Sequence, residues 1–215
     1  QRQMCIRDRV KVIADYIKQS RQLVMMAPTG RAARVLNKKT GHDAVTIHKA
    51  IYGKAHVQPK KVKDVAESEF KFVFPINQSE NGGNIVAIVD EASMVCSRKI
   101  DHELFMFGTD NQMDDLLTFV RPIFGGKVIF VGDPAQLPPV GESVSNALRA
   151  EYFQEKGLKV IEAELTEVLR QKNDSVILKN AMMIRDLLKK DKRNQLVFEE
   201  QKDDVETVSY THLRA

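Results

Sequence analysis

Residues 84–93, Asn-Ile-Val-Ala-Ile-Val-Asp-Glu-Ala-Ser, carry five consecutive apolar side chains that stop at two adjacent acids. A run of β-branched and small apolar residues without polar alternation suits a strand buried on both faces of a parallel sheet. Such a strand needs packed layers above and below it, so it sets the class of the chain as α/β. The acids then fall at the strand's carboxyl end, where open α/β sheets place their ligands. Neighbouring residues on a strand point to opposite sides, so Asp90 and Glu91 are expected to face different parts of a site. One carboxylate holding Mg²⁺ through its water shell, beside another that orients or deprotonates a water, is what a Mg-nucleotide hydrolase needs. A strand ending in a solvated acidic turn accounts for the stretch alone equally well.

The chain has 215 residues, 43% of them hydrophobic and 29% charged, which fits a soluble globular protein of one α/β domain or slightly more. No apolar run reaches the length of a membrane span, so a membrane partner is not expected. The two cysteines form neither a disulfide framework nor a metal-binding spacing. Both ends read as foreign. Residues 1–8 match a translation of CAG-CGT-CAG-ATG-TGT-ATA-AGA-GAC, and 208–215 match GTC-TCT-TAT-ACA-CAT-CTC-CGA-GCC. The two codon strings share a core in reverse complement and resemble transposon sequencing adaptors. Residues 1–9 and 208–215 are therefore expected to be non-native tails and are set aside for fold reasoning. Without them the formal charge drops from +4 to about +1, and global charge gives no argument for nucleic acid.

Residues 10–19 have Val10, Ile13, Ala14 and Ile17 at helical spacing, and 23–27 read as a second buried strand. Pro28 stops that strand, Gly30 is expected to allow a tight turn, and helical spacing resumes over 31–39 with Gly41 as its C-terminal cap. This loop offers the Thr29 hydroxyl, backbone N–H groups at a helix start, and Arg31, a fair phosphate contact; an ordinary strand-to-helix turn also fits. It lacks the Gly-Lys-Ser/Thr of a nucleotide-binding P-loop. Thr46 can cap a short helix with Ile47, Ala50 and Ile51 on one face, and a lone His such as His48 is there more often a surface or capping residue than a functional one. Residues 53–83 read as a loop with an edge strand or hairpin leading into the acidic strand. Residues 97–107 read as helical on Ile100, Leu104 and Phe105, and 114–120 as a further helix.

A third buried strand over 127–131 ends in Gly-Asp-Pro, and a stiff Leu-Pro-Pro segment presents Gln136 beyond it. A neutral amide beside a terminal phosphate can sense it by hydrogen bonding, and two prolines lower the entropy of holding it there. Residues 145–153 read as helical, 158–161 as a strand, and 174–190 as a long amphipathic helix, with a strand starting near 195–199. Arg170, beside Gln171, could be a surface ion-pair residue.

Five signals stand in one order: APTGRAA at 27–33, TIHKAI at 46–51, VDEASM at 89–94, VGDPAQLPPVG at 131–141 and LTEVLRQ at 165–171. Together they resemble the ordered motifs of superfamily-one DNA helicases, most closely the RecD-like group. The resemblance implies a RecA-like P-loop NTPase domain, with a mostly parallel central sheet and helices on both faces. It implies ATP and Mg²⁺ as cofactors and single-stranded DNA or DNA junctions as partners, with 5′ to 3′ movement in the cytoplasm. It assigns Pro28, Thr29, Gly30, Arg31, Thr46 and His48 to the DNA track, Asp90 to Mg²⁺ and Glu91 to the catalytic base. Asp133 and Gln136 would couple the γ-phosphate to the DNA track, and Arg170 would be an arginine finger. In that scheme 10–171 form a first motor domain, truncated at both ends and without its Gly-Lys-Thr loop, and 172–207 begin a second. The chain itself would then hydrolyse no ATP. Two other readings stay open: a P-loop ATPase with a remodelling or signalling role, and a non-catalytic remnant that binds single-stranded DNA.

Overall fold

The computed structural model describes residues 6–60, 69–77, 84–121, 124–165 and 176–189. One compact unit spans Ile6–Ala163, and residues from Glu164 onward belong to a second. The expected boundary at 171–172 lies outside the described residues, as do most of both tails and the strand expected near 195–199.

The first unit is built on a four-stranded sheet of β1 (Gln22–Ala27), β2 (Ala44–Thr46), β5 (Ile85–Val89) and β7 (Lys127–Phe130), in the order β2-β1-β5-β7. Every pairing in it is parallel. Parallel neighbours need crossovers, which α2 (Gly30–Thr40) supplies between β1 and β2 and α4 (Gln112–Val120) between β5 and β7. All five residues of β5 are buried, and their alternation divides two cores. Val86 and Ile88 join Met25, Leu36 of α2, and Val10, Ala14 and Ile17 of α1 (Ile6–Lys18). Ile85, Ala87 and Val89 meet Ile47 and Ile51 of α3 (Ile47–Ile51), Met113, Leu116 and Val120 of α4, and Phe153 of α5 (Ala150–Gln154). Each of the larger side chains among these contributes about 1.5–3 kcal/mol by leaving water. Helices thus cover both faces, as the apolar run required. Helix α1 begins at Ile6, four residues before the expected start at Val10.

Within 53–83, β3 (His56–Lys60) and β4 (Glu69–Phe74) pair antiparallel, in keeping with the expected hairpin, and neither pairs with the acidic strand. With β6 (Phe105–Phe107) they make a separate three-stranded sheet, β4 and β6 running parallel. Strand β6 replaces the helix expected over 97–107. Phe105 and Phe107 alternate onto one face and stack on Phe72 and Phe74, with ring centroids 5.9 and 4.6 Å apart. Ile100 and Leu104 stay exposed, so the apolar contacts of this segment are carried by the strand pairing of Phe105 and Phe107 and not by the helical face expected from the spacing.

Residues 158–161 form no strand either. Leu158 and Val160 pack on the core while Ile161 is 96% exposed, a period-two pattern with no partner strand among the described residues. The helix expected over 145–153 is broken: a 3-10 turn Asn146–Leu148, an extended Arg149, then α5. In the second unit, α6 (Val176–Lys189) fulfils the long helix expected over 174–190.

Candidate functional site at the carboxyl edge of the sheet

Because β1, β2, β5 and β7 are parallel, their carboxyl ends share one edge of the sheet. The segments leaving that edge hold Pro28, Thr29, Gly30 and Arg31 after β1, Thr46 and His48 at and after β2, Asp90 and Glu91 after β5, and Asp133 and Gln136 after β7. Of the residues singled out from the sequence, only Arg170 lies outside the described residues.

At the end of β5 the Asp90 N–H donates to the Met26 carbonyl at 2.9 Å, so the ladder to β1 runs one residue past the strand. Asp90 is buried, 4% exposed. Glu91 turns into the left-handed region, φ 53° and ψ 41°, and caps a 3-10 turn Ala92–Met94. The two carboxylates therefore part through a left-handed turn, not through the strand alternation expected for them. A side chain in this conformation costs about 1–2 kcal/mol relative to the right-handed region. The turn is tied to the next strand by the Ala92 N–H, which donates to the Val131 carbonyl at 2.9 Å.

Beyond β7, Gly132 lies against this turn. A Cβ built there would sit 3.1 Å from the Ser93 nitrogen, 3.2 Å from the Ala92 nitrogen and 3.1 Å from Leu148 Cδ1. Glycine is what lets the two loops approach so closely. Asp133 Oδ1 accepts the Ala135 N–H at 3.0 Å, and its carbonyl accepts the Gln136 N–H at 3.0 Å. These two bonds fold the Gly-Asp-Pro-Ala-Gln segment into a turn that sets the height of Gln136. The exposed Gln136 side chain meets Ser93, whose hydroxyl donates to Oε1 at 3.5 Å. Ser93 was not singled out from the sequence; its place directly after Asp90-Glu91-Ala92 is the signal that could have found it.

At the end of β1, Thr29 is the N-cap of α2 and its hydroxyl accepts the Ala32 N–H at 3.2 Å. Arg31 is exposed on the first turn. Gly30 is not required by its backbone: its φ is not positive, and a Cβ would meet nothing within 4 Å. The tight turn expected of it is made by the cap instead, and the space over the helix start is open.

Thr46 caps α3, its hydroxyl accepting the Lys49 N–H at 3.2 Å. His48 lies with its ring 5.5 Å from Tyr52 and 5.2 Å, edge-on, from Phe107. Burial of the ring against these neighbours, and then the nearby His102, hold its pKa below the ordinary 6.5. Its Nδ1 lies 3.2 Å from the Gln112 amide nitrogen, so the neutral ring accepts there and carries its proton on Nε2. His48 can thus offer a neutral donor, not a charge.

Helix α3 is held from behind by a buried group that the sequence did not reveal. Asp115 is fully buried on α4. It accepts the Tyr52 hydroxyl at 2.7 Å, and the N–H and hydroxyl of Thr109 at 3.0 and 2.8 Å. Gly108, at φ 53°, has no room for a Cβ over this carboxylate. The signal was present in the Gly-Thr-Asp turn before α4, which serves here to deliver donors to an acid.

No cluster of three His, Cys, Asp or Glu that could hold a metal occurs among the described residues. A single buried carboxylate at a strand end still fits Mg²⁺, which keeps most of its waters and binds one or two carboxylates plus phosphate oxygens. Asp90, buried at the end of β5, is a carboxylate of that kind.

A family model described as an AAA domain matches residues 9–209. The ATP-dependent RecD2 DNA helicase of Deinococcus radiodurans is 33% identical over 132 residues, which cover 60% of this chain and 14% of that protein. An uncharacterized protein of Acanthamoeba polyphaga mimivirus is 30% identical over 129 residues, covering 54% of this chain and 22% of that one. A chain from a structure describing DNA unwinding at forked double-stranded DNA by two coordinating Pif1 helicases matches with a TM-score of 0.43. Its identity is 22%, over 80% of this chain and 40% of that chain. The chain thus spans less than a quarter of the length of either curated relative.

Proposed function

Since this chain belongs to the AAA domain family, its RecD-like helicase motifs lying within the matched 9–209, we propose that the protein it represents is an ATP-dependent DNA helicase. In this reading it couples ATP hydrolysis to 5′ to 3′ movement on single-stranded DNA. One observation carries it: four parallel strands bring the nucleotide-type and the DNA-type residues to a single sheet edge.

Asp90 holds Mg²⁺, which when bound neutralises charge on the phosphates. Glu91, lifted out of the strand by its left-handed turn, orients a water and takes its proton as the water attacks the γ-phosphorus. Gln136, on the turn folded by Asp133, hydrogen-bonds the γ-phosphate and registers its loss through its amide. Arg170, outside the described residues, supplies positive charge to the transferred group. Thr29 and the free N–H groups at the start of α2, with Arg31, take backbone phosphates. Thr46 and the neutral His48 donate along the same strand of DNA.

The 215 residues contain no Gly-Lys-Ser/Thr, the loop that grips β- and γ-phosphates in P-loop enzymes. We expect the chain by itself to turn over no ATP, and a longer reading frame that supplies this loop before α1 to do so. The test is DNA-stimulated ATP hydrolysis by the longer protein, abolished in Glu91→Gln. ATP turnover by 1–215 that is lost in Glu91→Gln overturns the inactivity. ATP turnover indifferent to DNA supports a non-helicase ATPase instead, and a true lack of the loop supports a DNA-binding remnant.

A further inference from the structure

Four hydrogen bonds converge on Ser97, a residue outside every motif. Its N–H donates to Glu142 Oε1 at 2.7 Å and its hydroxyl to Glu142 Oε2 at 2.6 Å. The same hydroxyl accepts from Asn146 Nδ2 at 2.7 Å, and its carbonyl accepts from Asn111 Nδ2 at 2.9 Å. Glu142 spends both carboxylate oxygens on one serine, and charge-assisted bonds of this length are the strong ones.

The two residues stand at telling places. Ser97 follows the 3-10 turn that begins at Glu91. Glu142 follows the Leu-Pro-Pro-Val-Gly segment, and its own N–H closes a turn onto the Pro139 carbonyl at 2.9 Å. Gly141 reverses the chain between them at φ 80°, a left-handed conformation that favours glycine, and the Arg98 guanidinium lies over the place a Cβ would take. The loop 131–141 is thus fastened to the segment 92–98 at both ends. At the front the Ala92 N–H holds Val131, with Gly132 pressed against Ser93. At the back the fastening is Glu142 on Ser97. The prolines between add stiffness, so the loop can transmit a displacement and not absorb it.

We infer that Glu142 is a positioning residue, which with Ser97 pins the loop bearing Gln136 to the turn bearing Glu91 so that the two keep one spacing through the ATP cycle. The inference rests on the helicase reading for its role in turnover, but not for the fastening itself. Glu142 touches no reacting atom; it sets where the amide of Gln136 stands relative to the water held by Glu91. Misplacement on the scale of 1 Å costs as much as a hundredfold in rate.

Two measurements separate the claims. In the 215-residue chain, Glu142→Ala should speed amide hydrogen exchange over 133–141 by about tenfold or more, with β1 and β5 unchanged. Ser97→Ala, which keeps the N–H bond, should do so to a lesser degree. Unchanged exchange in both variants overturns the fastening, whatever the protein does with ATP. In the longer protein, Glu142→Ala should lower DNA-stimulated kcat on the order of tenfold with KM for ATP within about twofold, and Glu142→Gln should recover part of it. Full kcat in Glu142→Ala, or a loss carried by KM, overturns the role in turnover. Absence of ATP hydrolysis in the unaltered protein sinks the helicase reading and leaves the exchange result standing.

Discussion

Replacing Tyr52 by Phe removes one oxygen from the interior, and its cost can be worked from the contacts that oxygen makes. The Tyr52 hydroxyl donates to Asp115 Oδ2 at 2.7 Å, and both residues are buried. A hydrogen bond to a charged group is worth about 1.5–3 kcal/mol. In the variant, Oδ2 keeps only the longer bond from the Thr109 N–H, at 3.2 Å. Phenylalanine fills the same space, so no cavity adds to the loss, and about 2 kcal/mol is expected. Asp115→Ala should cost more, about 2–4 kcal/mol, because it strands the Tyr52 hydroxyl in the core. Thr109 is exposed and can turn its donors to water, which limits the figure. The double variant should recover about 1.5–3 kcal/mol of the summed losses, since the shared bond is counted once. Urea unfolding of the three variants measures this, with the slope against denaturant unchanged. A Tyr52→Phe loss below about 0.5 kcal/mol, or losses that simply add, refutes the reasoning. The pH dependence has a definite sign. Burial, and then Asp115, raise the Tyr52 pKa above its ordinary 10.0. The stabilisation is therefore whole below pH 10 and fades as pH rises beyond it, so the gap between wild type and Tyr52→Phe narrows only in that alkaline range.

Three further outcomes follow from other contacts. Gly132→Val should destabilise the chain by about 1–3 kcal/mol, because its side chain must push the β7 loop off Ser93, and in the longer protein proposed above it should cut ATP turnover more than ATP affinity; thermal melting of the one and steady-state kinetics of the other check both. The Glu142 carboxyl sits below its ordinary 4.5: burial alone would raise it, but hydrogen bonds from Ser97 and Cys96 outweigh that. Its contribution is thus full above pH 4.5 and lost as pH falls further, and acid unfolding curves should show this limb flattened in Glu142→Gln. Arg31→Ala should lower the salt dependence of single-stranded DNA binding by about one counterion, while His48→Gln at pH 7.5 should weaken binding without changing that slope. An equal change of slope in both would count against a neutral His48.

The central sheet was legible because its strands are apolar from end to end. The five residues 85–89 can be satisfied only between two layers, and that demand carried the order of elements around them. The site edge was legible for the same reason: each apolar run stops at polar residues, and parallel pairing aligns the stops. Where burial is partial and the partner lies far away in sequence, the sequence misled. Ile100, Leu104 and Phe105 have helical spacing, yet Phe105 and Phe107 answer to Phe72 and Phe74, some thirty residues away, and no local signal reports a partner at that distance. Leu158 and Val160 alternate as a strand does, but alternation says only which side faces the core, not whether a neighbour is there to bond. Asp115 reads as one more acid on a helix start. Its burial is a fact about Tyr52 and Thr109, and those come from different segments.

The left-handed backbone at Glu91 has a practical consequence for anyone who improves this protein by selection. Asn or Gly at that position would relieve up to about 1 kcal/mol of backbone strain. A screen scored on melting temperature alone would be drawn toward position 91, and its winners would be tougher molecules that had traded away the carboxylate. Conversely, a library in which position 91 resists every stabilising replacement under selection for turnover would mark the residue as functional with no kinetic measurement at all.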